Sequence, residues 1–234
     1  MLRTDRPRSE HHPIPSLQPG DHLTRDEFER RYDATPGLKK AELINGVVYM
    51  APPVSFGWHR EPHIHLAGWL WVYPAHTQGV RGGADSSVRM IDANMTQPDI
   101  LLFIDPASGG QLRIGEDDYL EGAPEFVGEI AATSAGYDLH TKLDLYRRSG
   151  VKEYLVWRTF DGEIDWFVAR GGQFQRLIPD VSGVLRSEVF SGLWLDAARL
   201  LKSDAAGVLN TLQAGLASPE HAAFVQRLAA SCQA

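Results

Sequence analysis

The sequence is poor in cysteine, in basic charge and in long apolar runs, and each shortage excludes a class of protein. Cys232 is the single cysteine among 234 residues, so the chain forms no internal disulfide, and we expect a reducing, cytoplasmic location. No apolar run approaches the ~18 residues of a membrane helix. The polar, proline-rich start of the chain has no apolar segment typical of a secretory signal, so we expect no membrane partner.

The charge balance argues against a protein that coats nucleic acid by bulk attraction. Acidic residues outnumber basic ones and give a formal net charge of −7, whereas such proteins carry a basic surplus. A local basic patch is compatible with this balance. An acidic site that recruits a divalent cation would itself contribute to the negative sum.

The chain divides into three parts by composition. Residues 1–22 are expected to form a disordered N-terminal arm, and residues 23–202 alternate strand and helix patterns within one domain. Residues 203–234 form an alanine-rich C-terminal helical extension, read as one helix over about 205–231. Strands interrupted by a helix predict the α/β class, as an α+β mixed sheet.

Turn and helix signals place the elements of the central part. Asn45-Gly46 predicts a hairpin, and a helix over about 138–149 is expected to end at Gly150. A second helix is predicted to start near Pro62 and to bury four apolar side chains, namely Ile64, Leu66, Trp69 and Leu70.

Two strands carry carboxylates in apolar surroundings. QPDILLFI has apolar residues on both faces, which is typical of a central strand, and Asp99 stands at its start. In EFVGEIAA, Glu129 is the only charged residue between Phe126 and Ala132. A lone buried carboxylate costs several kcal/mol unless it is paired, protonated or bound to a cation.

The helix after EFVGEIAA carries a lysine beside its apolar face. Leu139, Leu143 and Tyr146 form the apolar stripe, and Lys142 lies on the neighbouring stripe with Asp138. Lys142 can therefore point back to the strand ends.

Each residue also has a purely structural interpretation. Glu129 could pair with an arginine, and Lys142 could form an i,i+4 salt bridge with Asp138 worth a few tenths of a kcal/mol. Together with Asp99 they favour chemistry instead. Two carboxylates suit Mg²⁺, and a nearby lysine can orient water and offset charge in the transition state of phosphodiester hydrolysis.

Four segments carry a resemblance to a known family. In chain order they are ELINGVVYMAPP, QPDILLF, EFVGEIAATS and DLHTKLDLYRRSGVKEYLVW. They resemble the Uma-two family of putative restriction endonucleases, which belongs to the PD-(D/E)XK nuclease superfamily. The similarity covers roughly residues 24–200, and its most specific part is the last segment.

The resemblance implies a restriction-endonuclease-like core with a metal-dependent site. It makes Pro98-Asp99 the PD element and Glu129 the second acidic metal ligand, with Mg²⁺ as cofactor and Mn²⁺ as a substitute. The superfamily's lysine usually lies two residues after that acid, where this chain has Ala131, so Lys142 on the following helix is the candidate. Asp99, Glu129 and Lys142 are thus the expected catalytic residues.

Further expectations follow from the same resemblance. Glu42 and His59 match recurrent family residues and, with Asp138, are expected to support the site. Double-stranded DNA is the expected substrate, and a homodimer is expected by analogy with other nucleases. Four basic residues near the site could meet phosphates, namely Arg147, Arg148, Lys152 and Arg158.

Two other functions stay open at the level of sequence. The family commonly reads Glu-Val-Leu-Ser-Pro-Ser after the second acid, where this chain has Glu-Ile-Ala-Ala-Thr-Ser from Glu129. The altered loop is compatible with a catalytically inactive nuclease fold that serves binding or assembly. A glycosidase could use the same two carboxylates, but Trp69 and Trp71 are predicted on a core helix and leave no sugar-binding platform near the strands.

Overall fold

The computed structural model describes residues 14–35, 37–38, 40–51 and 55–232. The strands in this part of the chain are β1 (Ala41–Ile44), β2 (Val47–Met50), β3 (Val80–Ala84), β4 (Val88–Arg89), β5 (Met95–Thr96), β6 (Ile100–Ile104), β7 (Arg113–Ile114), β8 (Leu120–Glu121), β9 (Phe126–Ala131), β10 (Glu153–Arg158), β11 (Glu163–Arg170), β12 (Gln173–Arg176), β13 (Val184–Arg186) and β14 (Trp194–Asp196).

The helices are α1 (Arg25–Asp33), α2 (Glu61–His76), α3 (Ala135–Tyr137), α4 (Leu143–Ser149), α5 (Ala197–Leu201), α6 (Ala205–Leu216) and α7 (Pro219–Ser231). A π-helical turn at Phe56–Arg60 leads into α2, and another at Asp138–Lys142 joins α3 to α4. A short 3-10 turn lies at Pro106–Ser108. None of the described helices is both long and apolar enough to cross a membrane.

Two mixed sheets organise the domain. The central sheet has the order β12-β11-β10-β9-β6-β3, and the flanking sheet has the order β2-β1-β5-β4-β8-β7. Within the central sheet β9 and β10 are parallel, and the other neighbouring pairs are antiparallel. The segment α3–α4 connects β9 to β10. These mixed sheets with helices confirm the predicted α/β class.

Both faces of the central sheet are covered, as the apolar β6 and β9 sequences predict. Alternate residues of β6, such as Leu102, join a large core with α2, α6 and α7, whereas Leu101 joins a second core with α4. In β9, Phe126 faces the first core and Val127 the second. Because side chains alternate along a strand, Asp99 and Glu129 fall on the α4 side of the sheet.

The chain crosses from the flanking sheet to the central sheet directly before Asp99. β5 ends at Thr96, and β6 begins at Ile100. Between them, the amide N–H of Gln97 donates to Glu42 of β1 at 2.8 Å. The PD dipeptide therefore lies at the junction of the two sheets, where side chains from both can meet.

The hairpin and the β9–β10 helix are observed as predicted. β1 and β2 are antiparallel around Asn45-Gly46, and Gly150 ends α4 with a φ of 93°, which favours glycine. The helix begins at Ala135, a few residues earlier than expected, and contains the π-helical turn.

Predicted burial in α2 is wrong at Ile64, and Trp71, which was predicted only to lie on this core helix, is exposed as well. Ile64 is 65% exposed and Trp71 is 72% exposed, because the helix buries the stripe that contains Leu66, Trp69 and Tyr73. Both exposed residues lie off that stripe, which repeats every three or four residues.

The terminal regions also differ from the prediction. Residues 1–13 of the predicted arm lie outside the described residues, but Leu17 is buried and the amide of Gly20 donates to Val48 at 2.8 Å. This part of the predicted arm therefore packs on β2. The predicted single C-terminal helix is two helices, because Ser218 caps α7 and Pro219 occupies its first position.

Gly128 controls how closely β6 and β9 approach. It pairs with Ile100, and a β-carbon at position 128 would lie 2.7 Å from the Ile100 Cγ1. We predict that Gly128→Ala lowers the free energy of unfolding by about 1–3 kcal/mol through overpacking. Gly68→Ala is the matched control, since nothing lies within 4 Å of its added carbon on α2, and it should gain about 0.5–1 kcal/mol. Urea unfolding measures both; equal loss of stability in the two variants would contradict this account.

Candidate active site

A cavity of about 400 Å³ opens between the two sheets and the α3–α4 segment. Its polar lining includes the ionisable side chains Lys40, Glu42, Asp99, Glu129, Asp138 and Lys142. The structure thus brings the three predicted catalytic residues to one cavity, together with Glu42, Asp138 and also His59.

Asp99 is 2% exposed, and both of its carboxylate oxygens are engaged. Oδ2 accepts from the backbone N–H of Ile130 at 2.7 Å, and Oδ1 accepts from the Lys40 ammonium at 2.8 Å. The His59 Nε2 lies 3.6 Å from Oδ2. Burial raises the pKa of Asp99, but the His59 imidazole and the Lys40 ammonium outweigh it and hold this pKa well below its usual range.

Glu129 is 3% exposed, on the central strand β9. Its Oε1 accepts from the Lys142 ammonium and from the Tyr146 hydroxyl, each at 2.9 Å. Oε2 has no hydrogen-bond donor among the residues that the structure describes. Burial raises the pKa of Glu129 to about 8, against the opposing effect of Lys142 and with a further increase from Asp99.

The Lys142 ammonium is surrounded by carboxylates. It lies 2.9 Å from Glu129 Oε1, 2.9 Å from Glu42 Oε2 and 3.7 Å from Asp138 Oδ1. Burial lowers the pKa of Lys142, but these three carboxylates raise it well above its ordinary value. The salt bridge with Asp138 that the helical spacing predicts is therefore the longest of three ion pairs.

The π-helical turn fixes the helix side of this cluster. The amide of Leu143 donates to the carbonyl of Asp138, one residue further back than in an α-helix. Ser134 donates its hydroxyl to Asp138 Oδ2 at 2.6 Å, and the Tyr154 hydroxyl donates to the Asp138 carbonyl at 3.1 Å. The turn is thus held by β10 and by the loop after β9.

The loop after β9 keeps one polar contact despite its altered sequence. Ala132, Thr133 and Ser134 all line the cavity. Ser134, which remains where the family also has a serine, supplies the hydroxyl that orients Asp138. The missing proline and serine therefore leave the hydrogen bond to Asp138 in place.

The charges at the cavity do not balance. Four carboxylates (Glu42, Asp99, Glu129 and Asp138) face two ammonium groups (Lys40 and Lys142), which leaves a formal excess of two negative charges. The raised pKa of Glu129 is the response expected of a carboxyl in such surroundings. The cluster is therefore short of positive charge.

Sequence reasoning missed two members of this cluster. Lys40 binds Asp99, and Tyr146, assigned only to the apolar stripe, donates to Glu129. A signal for Lys40 was present, because it precedes β1 and is two residues from Glu42. In an extended chain such residues project to the same side.

The basic residues expected to meet phosphates lie mostly in ion pairs of their own. Arg147 and Arg148 both pair with Asp144, and Arg158 pairs with Asp165 at 2.7 Å. Lys152 is exposed but does not line the cavity. The helix surface therefore offers less free positive charge than the sequence suggests.

No ready-made multidentate metal centre occurs within the described ranges. There, no three or more His, Cys, Asp or Glu side chains are grouped so that they could hold an ion together. The carboxylates that line the cavity therefore do not form a complete cation site by themselves within the described ranges.

Comparisons with known proteins identify the fold and the family of this chain. A search of the solved structures finds a protein described as "a putative nuclease belonging to DUF820 from Anabaena variabilis ATCC 29413", which is 17% identical, with a TM-score of 0.54. The match covers 76% of this chain and 99% of that chain, and at this identity it shows the fold alone. A search of the curated proteins gives no match.

The family model Uma2, described as "Putative restriction endonuclease", matches residues 25–198. The matched range includes every residue of the acidic and basic cluster described above. It spans well over half of the chain, which confirms the resemblance drawn from the sequence. This protein belongs to the Uma2 family.

Proposed function

We propose that this protein is a cation-dependent nuclease that hydrolyses phosphodiester bonds in DNA. The observation that carries the proposal is that Asp99, directly before β6, and Glu129, on the neighbouring strand β9, reach one cavity that also contains two lysines. The carboxylates can hold a cation. The ammonium groups can stabilise the negative charge that develops on a phosphoryl group. Family membership supports the same reaction class.

The donor set suits Mg²⁺ in its chemistry. Mg²⁺ binds through one or two carboxylates and keeps several waters, and Asp99 and Glu129 would be those two ligands. The formal excess of two negative charges at the cavity matches a divalent ion, and Glu129 Oε2 has no donor within the described residues. When bound, Mg²⁺ would neutralise phosphate charge and lower the pKa of a water molecule. Mn²⁺ suits the same ligands.

Lys40 is the better candidate for direct contact with the phosphate. Its side chain is 21% exposed, against 4% for that of Lys142. The Lys40 ammonium lines the cavity beside Asp99. From there it can donate to a non-bridging phosphate oxygen as negative charge develops on that oxygen. We therefore assign Lys40 a catalytic role, which the sequence did not suggest.

Lys142 then acts mainly on Glu129. Its ammonium donates to Glu129 and forms ion pairs with Glu42 and Asp138. This arrangement fixes the orientation of the Glu129 carboxylate and favours its charged form. Lys142 is therefore a positioning residue. It can assist the attack on the phosphate through a water molecule that Glu129 holds.

One observation favours a second function, that of a nuclease fold which binds nucleic acid without turnover. Both oxygens of Asp99 are already engaged, by Lys40 and by the amide of Ile130. If this ion pair persists in solution, Asp99 has no free oxygen for a cation. The two functions differ in one measurable property, which is cleavage. A homodimer stays a prediction by analogy.

Lys40→Ala should abolish cleavage without unfolding the protein. In cleavage assays on a single-stranded oligonucleotide and on plasmid DNA, with Mg²⁺ or Mn²⁺, we expect the rate to fall by about 100-fold or more, as when a single transition-state donor is removed. Lys152→Ala, which removes an exposed lysine that does not line the cavity, is the matched control and should cleave like the wild type. Thermal melting checks the fold of both variants.

Two outcomes of this assay would contradict the proposal. Wild-type protein that binds DNA but cleaves none with either ion would favour the binding function. Full activity in Lys40→Ala would remove Lys40 from the reaction and leave Lys142 as the candidate.

Cation binding should be detectable without any substrate. Added Mn²⁺ should raise the melting temperature of the wild type, because a ligand bound only to the native state stabilises it. Asp99→Asn and Glu129→Gln should lose this shift, whereas Glu116→Gln, which alters an exposed carboxylate away from the cavity, should keep it. An equal shift in all of these variants would place the cation elsewhere and sink the assignment of its ligands.

A further inference from the structure

Four aromatic side chains are among the residues that line the cavity, and we call them the aromatic rim: Tyr49, Trp58, Tyr137 and Phe160. They form two pairs, with ring centroids 4.5 Å apart for Tyr49 and Tyr137 and 4.7 Å apart for Trp58 and Phe160. The rim comes from separate parts of the chain: β2, the π-helical turn before α2, the helix after β9, and the turn after β10.

The second pair is exposed to an unusual degree for large aromatic residues. Trp58 is 51% exposed and Phe160 is 53% exposed. Thr159 fixes the pair, because its hydroxyl donates to the Trp58 carbonyl at 2.8 Å. Aromatic surface held open to water at the mouth of a cavity marks a binding site more often than scattered exposed residues do.

The charges near the cavity restrict what the rim can bind. The chain is acidic overall, and Arg147, Arg148 and Arg158 are already paired with carboxylates. These three arginines are therefore not free to bind a phosphate backbone, and another kind of contact can supply affinity for nucleic acid. Stacking of bases on aromatic rings supplies such affinity without basic charge.

The position of the catalytic carboxylates points to the same ligand. Asp99 and Glu129 are 2% and 3% exposed, so a scissile phosphate has to enter the cavity to reach them. A cavity of about 400 Å³ has the size of a small-molecule site and matches a nucleotide rather than a segment of duplex. A base that enters the cavity with its phosphate is no longer stacked or paired in the nucleic acid. It would contact the aromatic rim instead.

We propose that the aromatic rim is a stacking subsite for an unpaired nucleobase next to the scissile phosphate. The inference rests on the proposed nuclease function and narrows its substrate to single strands, or to duplexes opened at the site of cleavage. Trp58 and Phe160 are the residues on which the base stacks. Paired duplex without a defect is a poor ligand on this account.

Binding measured without turnover tests the subsite independently of catalysis. Fluorescence anisotropy in EDTA follows labelled oligonucleotides as a single strand, as a fully paired duplex and as the same duplex with one bulged base. We expect the single strand and the bulged duplex to bind more tightly than the paired duplex. Oligodeoxyribonucleotide and oligoribonucleotide versions distinguish DNA from RNA as the source of the base.

Trp58→Ala should weaken binding of the single strand by about tenfold, which is the range found when one stacking residue is removed. Phe160→Ala should do the same. The matched control is Trp71→Ala, which deletes an exposed tryptophan of α2 that does not line the cavity, and it should bind like the wild type. Circular dichroism confirms that the variants are folded.

The outcomes separate this inference from the proposed function. Equal or tighter binding of the paired duplex, no binding of any oligonucleotide, or unchanged affinity in both Trp58→Ala and Phe160→Ala would overturn the subsite. Selective binding that depends on Trp58, in a protein that cleaves nothing, would support the subsite and contradict the nuclease function.

Discussion

The arrangement of the site depends on the ion pairs of the buried Lys142 ammonium. It joins Glu42 of the flanking sheet, Glu129 of the central sheet and Asp138 of the π-helical turn. Charges taken out of water cost several kcal/mol each, so none of the four is stable there alone. Removal of one partner from such a buried pair usually costs about 3–5 kcal/mol. These ion pairs therefore hold the two sheets and the helix in their relative positions.

These ion pairs still leave the site with an excess of negative charge. The proposed chemistry uses this excess, because it favours binding of a cation. The PD dipeptide lies where the chain passes from one sheet to the other, and this crossing places Asp99 beside Glu129. The two carboxyls differ in their pKa values, since Lys40 and His59 lower that of Asp99 while burial raises that of Glu129. A divalent cation would relieve both the excess charge and the cost of ionising Glu129.

Much of this organisation was predictable from the sequence, because it depends on short-range patterns. Apolar residues on both faces predicted the buried strand β6, and a single charge inside the apolar segment of β9 singled out Glu129. Helical spacing placed Lys142 beside the apolar face, but it could not identify Glu42 and Glu129 as its partners. Glu42 lies far from Lys142 in the sequence, and only the packing of two sheets brings them together.

The features that sequence reasoning missed share one physical origin, which is long-range packing. Lys40 gained its role from Asp99, and the aromatic rim collects residues from four distant segments. Ile64 and Trp71 are apolar yet exposed, because the direction of α2 is set by the core it covers.

The claim that Asp99 and Glu129 hold a divalent cation is tested most directly by anomalous diffraction from crystals soaked in Mn²⁺. The account predicts a peak within about 2.0–2.4 Å of an oxygen of each carboxylate, in the usual range for a hard cation. It also predicts that Lys40 Nζ is then displaced from Asp99 Oδ1. A site without a peak, with the Lys40–Asp99 ion pair intact at saturating Mn²⁺, would contradict it.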